Sequence, residues 1–372
     1  MPRSYSKLNR IVVKIGSSSL LSDDNQIHER QIIELSRQIS KLVQGGMELV
    51  LVSSGAVAAG RGFLNQKSSS LDNFQAAAAV GQPILMALFQ KYFQAYDIAT
   101  GQLLLTHDDF QSRRRYLNAR NTIHSLMANG IIPIINENDS ISTEEIRFSD
   151  NDFLGALCTN LVSADLFIIL SNIDGIADKN PKLHPDAKVY QKLSLVELEG
   201  LKEKINDDQV EGVGRGGIST KLEAPMMAAR YGVPTVIANS RTEDVLTRII
   251  QGEEIGTYVE PIDAELNSWR AYIAHALKPK AMIIIDEGAA KALKQSKASL
   301  LSSGIIGIRG KFNRGDGVRC CLQDGTEVVQ GIVEYDESEV NKIAGCQSSE
   351  IEKILGYRHR RSVIHRENMV RL

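Results

Sequence analysis

The sequence predicts an α/β fold, a parallel-type sheet between helix layers, followed by a second, smaller, mainly β domain. Three observations predict it. Up to about Asn239, short β-branched runs alternate with longer segments of helical periodicity, the pattern of strands crossed over by helices. After Ile249 that alternation stops, and short apolar runs separated by Gly-Asp and Asp-Gly turns take over. At 372 residues, the chain is long enough for two cores.

Strands are expected in the first part at residues 10–15, 48–53, 98–105, 131–136, 166–170 and 233–239. Between the first two, Ile32, Ile33, Leu35, Ile39, Leu42 and Val43 fall largely on one helical face, and Gly45-Gly46 ends that helix. Right-handed crossovers follow from the order of elements. Arg113-Arg114-Arg115 precedes Tyr116 to Arg120 on a further helix, and another reaches about Tyr231. Gly252, Gly256 and Pro261 then fall in a stretch of mixed polarity ending at Lys278-Pro279-Lys280. The first domain is therefore placed at 1–257, a linker at 258–279 and the second domain at 280–372. Strands at 281–285, 305–309, 317–322 and 326–335, with a short helix after the first, make that domain mainly β. There is no internal repeat.

Composition narrows the class of protein. Hydrophobic residues at 43% and charged residues at 24% lie in the globular range. The apolar run Ile11 to Ile15 is broken at once by Gly16 and three serines, too short for a signal-peptide core. No segment approaches the ~18 uninterrupted apolar residues of a membrane span. Cys158, Cys320, Cys321 and Cys346 lack C-x-x-C spacing, so buried free thiols and a cytoplasmic location are expected. A net charge of -2 supplies no overall attraction for nucleic acid.

In open parallel sheets, ligands bind beyond the carboxyl ends of the strands. Those ends read Lys14-Ile15-Gly16-Ser17-Ser18-Ser19, Ser53-Ser54-Gly55-Ala56, Asn136-Glu137-Asn138-Asp139 and Ser171-Asn172-Ile173-Asp174-Gly175. A lysine ending a buried strand must snorkel to solvent or meet an anion. Asn136, Asn138, Asp139, Asp150, Asn151 and Asp152 form a polar set able to bind an amino group and position a lysine, although Asn and Asp also serve ordinary turns. Gly212 to Gly217 formally matches G-x-G-x-x-G, but it follows a charged segment instead of a strand, and no acid lies ~20 residues on. A nicotinamide fold is therefore rejected, and the Walker A pattern is absent. What remains is a glycine-rich loop entering a helix at Ile218-Ser219-Thr220-Lys221, suited to phosphate or equally to a plain surface turn.

Taken together and in order, Lys14 to Ser18, Ser53 to Gly60, Asn136 to Asp139, Asp150 to Asp152 and Gly216 to Lys221 resemble the amino-acid kinase family, and within it the glutamate 5-kinases. Gly310 to Asp316 and Val363 to Met369 look like the PUA module that bacterial members often carry. The resemblance covers nearly the whole chain. It implies an amino-acid kinase fold and ATP-dependent phosphorylation of the glutamate side-chain carboxylate, the first step of proline biosynthesis. It makes Lys14 and Lys221 the phosphate-stabilising cations and Asp152 the carboxylate that orients them. Ser54, Asn136, Asp139 and Asn151 would hold glutamate. ATP would lie against Lys14, Ser171, Asn172, Arg215, Gly216, Gly217, Ile218, Ser219, Thr220 and Lys221.

Three features depart from the family pattern: Ser171-Asn172 replaces Thr-Asp, Arg215 replaces Thr, and Pro225 interrupts the helix after Lys221. All bear on the nucleotide contacts. The chemistry agrees with the resemblance on its own terms. A glutamate carboxylate, with a reference pKa near ~4.3, is already an anion at neutral pH and needs no general base. The reaction needs charge cancellation instead, from Lys14, Lys221 and a magnesium ion carried with ATP; no resident metal site is expected. The resemblance further implies feedback inhibition by proline and a homo-oligomer, and leaves RNA binding by the PUA domain open.

Two rivals stand beside this reading. One is a relative acting on acetylglutamate, aspartate, carbamate or a nucleotide. The other is an RNA-binding protein on a disused kinase scaffold, against which Lys14 and Lys221 argue. Arg113 to Arg115 and Arg358-His359-Arg360-Arg361 read as solvated faces, and His107, His124 and His184 have no metal spacing.

Overall fold

A computed structural model of the chain describes residues 3, 5, 8–21, 27–64, 70–141, 151–179, 184, 186–206, 218–262, 268–275, 277–295 and 298–372. The chain divides into two compact units, Met1–Phe110 with Arg114–Ala264, and Gln111–Arg113 with Glu265–Leu372. The expected connector, 258–279, holds the end of a strand of the first unit and the helix Ser268–His275 of the second.

The strands of the first unit are β1 (Arg10–Ile15), β2 (Glu48–Val52), β3 (Thr100–Leu105), β4 (Ile132–Glu137), β5 (Leu166–Ser171), β6 (Lys192–Leu193), β7 (Thr235–Asn239) and β8 (Thr257–Val259). Among the described residues they form one sheet in the order β3-β4-β2-β1-β5-β7-β8-β6. All pairs from β3 to β7 are parallel, as expected, but β8 runs antiparallel to β7. Strands of two and three residues are too short to leave a periodic signal, which is why β6 and β8 escape sequence reading.

Helices cover both faces, so the central strands are apolar on both sides. The odd residues of β1, Ile11, Val13 and Ile15, pack with Ile32, Leu35 and Ile39 of helix Glu29–Gln44 and with Leu85, Phe89 and Phe93 of helix Leu71–Gln94. Ile33, grouped by sequence with that buried face, is instead 42% exposed, because it lies about 100° from Ile32 around the helix. The even face of β1 meets helix Asn151–Val162, where a Cβ added at Gly155 would lie 3.3 Å from the Cβ of Lys14. Helix Ala56–Arg61 crosses helix Leu71–Gln94 closely through Gly60 and Gly81. Helix Ile218–Arg230 runs through Pro225 without ending there.

The second unit has β9 (Ala281–Ile285), β10 (Ile305–Arg309), β11 (Gly317–Cys321), β12 (Glu327–Val333) and β13 (Ile364–Arg371), in the order β10-β9-β11-β12-β13. It has its own core around Ile283, Ile285, Val318, Val329, Tyr335 and Ile364. Helix Ser268–His275 is tied to β12 by Gln330, whose Nε2 donates to the carbonyls of Ile273 (2.7 Å) and Leu277 (2.9 Å). Helix Glu337–Ile343 opens with a capping box between Asp336 and Glu339. All four cysteines are free, and Cys346 is only half-buried. Among the described residues no helix is long and apolar enough to cross a membrane.

Candidate active site

The chain moves from β1 outward to β2, then crosses back past β1 to β5, so the strand order reverses at β1. Such reversals open a crevice at the carboxyl ends of the strands. Register brings those ends into line: Lys14 pairs with Val52 of β2 and Ile169 of β5, and Val52 pairs with Ile135 of β4. The backbone N–H of Gly16 donates to the carbonyl of Leu170 (3.1 Å), fastening the exit of β1 to β5.

Strand alternation decides what Lys14 meets. Val13 and Ile15 enter the apolar cluster on one face of β1, while Lys14, between them, points to the opposite face and helix Asn151–Val162. There its Nζ lies 2.5 Å from Oδ1 of Asp152, with both side chains at most 5% exposed. The anion that the sequence required for a buried lysine is therefore Asp152. An acid in the first turn also suits the positive end of that helix.

Asn151, one residue earlier, organises a second group. Its Nδ2 lies within donating distance of the Ser53 carbonyl (2.8 Å), Ser54 Oγ (2.9 Å) and Asn136 Oδ1 (2.8 Å). Asn136 Nδ2 in turn donates to Oε1 of Gln82 (2.8 Å). Gly55, with φ of 96°, takes a left-handed turn that L-residues avoid and starts helix Ala56–Arg61 directly after Ser54. Gln82 was not legible in the sequence: it sits within helix Leu71–Gln94, among residues whose pattern speaks only of packing.

Two carboxyls stand at the end of β4. Burial pushes Asp139 up to about 6. Burial, then Asp139 and Asp109, push Glu137 up to about 8. On the other side of β1, Lys221 Nζ donates to Ser171 Oγ (3.1 Å), and Ser171 Oγ lies 3.5 Å from Asn172 Oδ1. Asn239 Nδ2 donates to Asp174 Oδ1 (2.8 Å) beside them, a pair that sequence reading did not single out. Ile218, Ser219 and Thr220 open helix Ile218–Arg230, while Arg215, Gly216, Gly217 and Asp150 lie outside the described residues.

The strand ends thus carry one buried lysine with its carboxylate, a network of neutral amides and hydroxyls, and a second lysine on the β5 side. Opposed cations at the mouth of a sheet can bind and neutralise a polyanion, and amides can orient an amino acid. The profile of the amino acid kinase family matches residues 9–239, and that of the PUA domain matches residues 281–355. Over 366 residues the chain is 43% identical to a glutamate 5-kinase of Trichlorobacter lovleyi, covering 98% of this chain and 97% of that protein. It is 44% identical over 367 residues to a glutamate 5-kinase of Methylococcus capsulatus, covering 97% and 96%. Among solved structures, UMP kinase from Bacillus anthracis aligns at a TM-score of 0.50 and 15% identity, covering 69% of this chain and 98% of that one, which speaks to the fold alone. On the family match and the near full-length relatives together, the chain belongs to the amino acid kinase family and carries a PUA domain after its kinase domain.

Proposed function

We propose that the chain transfers the γ-phosphoryl group of ATP to the side-chain carboxylate of L-glutamate, giving L-glutamyl 5-phosphate for proline biosynthesis in the cytoplasm. The observation that carries the reading is the buried pair of Lys14 and Asp152 at the strand-order reversal, with Lys221 held on Ser171 at the end of the neighbouring β5. Lys14 and Lys221 supply the charge that offsets repulsion between two anions as the phosphoryl moves, and Asp152 fixes Lys14 in place. Ser54, Asn136, Asp139 and Asn151 hold glutamate, Asp139 taking its ammonium group. Ser171, Asn172 and residues 215–221 hold ATP.

Magnesium fits as an ion brought by the nucleotide, since Lys14 already occupies Asp152 and the remaining site groups are mostly neutral oxygens and amides. Carried in with ATP, it would supply charge neutralisation on the triphosphate. Proline, the pathway product, is the expected inhibitor at the Asn136–Asp139 turn, and a homo-oligomer is the expected assembly. The PUA domain makes RNA a candidate partner of the second unit, where Arg358 to Arg361 are all exposed and Arg314 lies 3.2 Å from the His359 ring.

The test is ADP release with glutamate, aspartate, N-acetylglutamate or UMP as acceptor, with hydroxylamine trapping any acyl phosphate. Glutamate alone should support rapid turnover and yield a hydroxamate. Turnover that ignores glutamate would overturn the reading.

A further inference from the structure

Glu137, the last residue of β4, has no part in the scheme above. It is 6% exposed, and its Oε1 is buried with no hydrogen-bond partner. Ionising the carboxyl would put charge on an oxygen, Oε1, that has neither solvent nor a donor beside it. Its neighbours make ionisation costlier still. Asp139 stands in the turn that follows its own strand, and Asp109 acts on it from helix His107–Gln111.

None of these relieves it. Asp109 is committed elsewhere: its Oδ2 accepts from the Thr106 N–H (2.7 Å) and hydroxyl (2.9 Å), and Oδ1 lies 3.3 Å from Arg115 Nη1. Cys158 is fully buried, and burial pushes its thiol up so that it stays neutral. The Glu137 N–H is spent on Asn136 Oδ1 (3.0 Å). Among the described residues no cation pairs with the carboxyl.

We infer that Glu137 is an uncharged acid in the working site, a positioning residue that keeps the end of β4 neutral so that an anionic amino acid is admitted beside Asn136, Asp139 and Asn151. The identity of that anion rests on the glutamate reading; the protonation of Glu137 does not. A second carboxylate next to Asp139 would repel a dicarboxylate substrate and pull its ammonium group out of position. With its carboxyl pushed up to about 8, Glu137 loses its proton just above neutrality.

Glu137→Gln keeps the shape and removes the titration. In the parent chain, glutamate KM should rise about tenfold between pH 7 and pH 9, with kcat changing far less, whereas the glutamine variant should hold its KM within about twofold of a shared baseline. Loss of the substrate's own ammonium proton affects both proteins alike. Equal rises in the two, or a folded glutamine variant that has lost glutamate affinity at pH 7, would overturn the inference. A readout independent of turnover is difference infrared spectroscopy of the unsubstituted chain, where a protonated carboxyl band should titrate near pH 8 and move to lower pH in Asp139→Asn. Absence of that band at pH 7 overturns the inference whatever the activity. A titrating band in a protein that ignores glutamate at every pH would sink the glutamate reading alone.

Discussion

Lys14 and Lys221 carry the same charge but stand in different surroundings, and their removal should therefore fail differently. Lys14 is nearly inaccessible and neutralises a carboxylate that is 2% exposed, so Lys14→Ala leaves Asp152 buried without its cation. Urea denaturation should show a loss of ~3–5 kcal/mol besides the loss of activity. Lys221 is only partly buried, and Lys221→Ala should cost under ~1 kcal/mol while lowering kcat by ~10²-fold or more. An unchanged kcat would remove Lys221 from the reaction. Asp139→Ala should mainly raise glutamate KM, and a variant altered only in ATP affinity would move that residue to the nucleotide side.

Stability should also record the two raised carboxyls. Asp139 and Glu137 bind protons more tightly folded than unfolded, where their values are 3.8 and 4.5. Their contribution is complete below about pH 4 and is lost as pH rises through about 6 and then about 8. The thermal midpoint should fall between pH 5 and pH 9, and Glu137→Gln should flatten the upper part of that fall. At this scale the sequence exposed the charged and amide residues because strand ends are where such types have no packing excuse. It hid Gln82, whose role depends on which helix face reaches β4, and the difference between Glu137 and Asp139, which is one of surroundings.

Among the elements, the crossing of helices Ala56–Arg61 and Leu71–Gln94 is the least forgiving contact. A Cβ at Gly81 would stand 1.8 Å from the Ala56 carbonyl oxygen, and one at Gly60 would stand 1.9 Å from that of Ala77. Both obstacles are backbone, which cannot rotate away. Gly81→Ala should therefore cost at least ~2–3 kcal/mol, read as a lower urea midpoint, and should disturb glutamate binding because Gln82 is the next residue. A neutral substitution would mean that the helices separate more easily than their packing implies. Pro225 illustrates the reverse case. It has no N–H for the Lys221 carbonyl, yet the helix continues to Arg230, since Leu222, Ala224, Met226, Met227, Ala228 and Ala229 bury it on nearly every side.

For the whole molecule, the boundary between units can be tested by where the chain is cut. A chain ending at Gly256 lacks β8, whose residues Thr257 to Val259 pair with β7 and β6 and whose Thr257 Oγ1 donates to the Tyr190 carbonyl (2.6 Å). A chain ending at Ala264 keeps it. The longer truncation should be soluble, folded by circular dichroism and active in glutamate-dependent ADP release, whereas the shorter one should unfold at lower temperature. A folded but inactive longer form would mean that the second unit supplies part of the site.

Apolar runs and strand-end lysines report directly on burial, so residue order alone yields the six parallel strands, four strands of the second unit and the polar character of the ends of the first unit's strands. It took the folded arrangement to set Lys14 against Asp152 while Val13 and Ile15 face the apolar cluster. It alone showed that Asn151 gathers Ser54 and Asn136, and that Oε1 of Glu137 is buried without a donor. The physical reason is that a residue's type fixes what it can bond, while register and helix crossing fix what comes within reach; those contacts join residues 14 with 152, and 82 with 136, across distances that no local pattern spans.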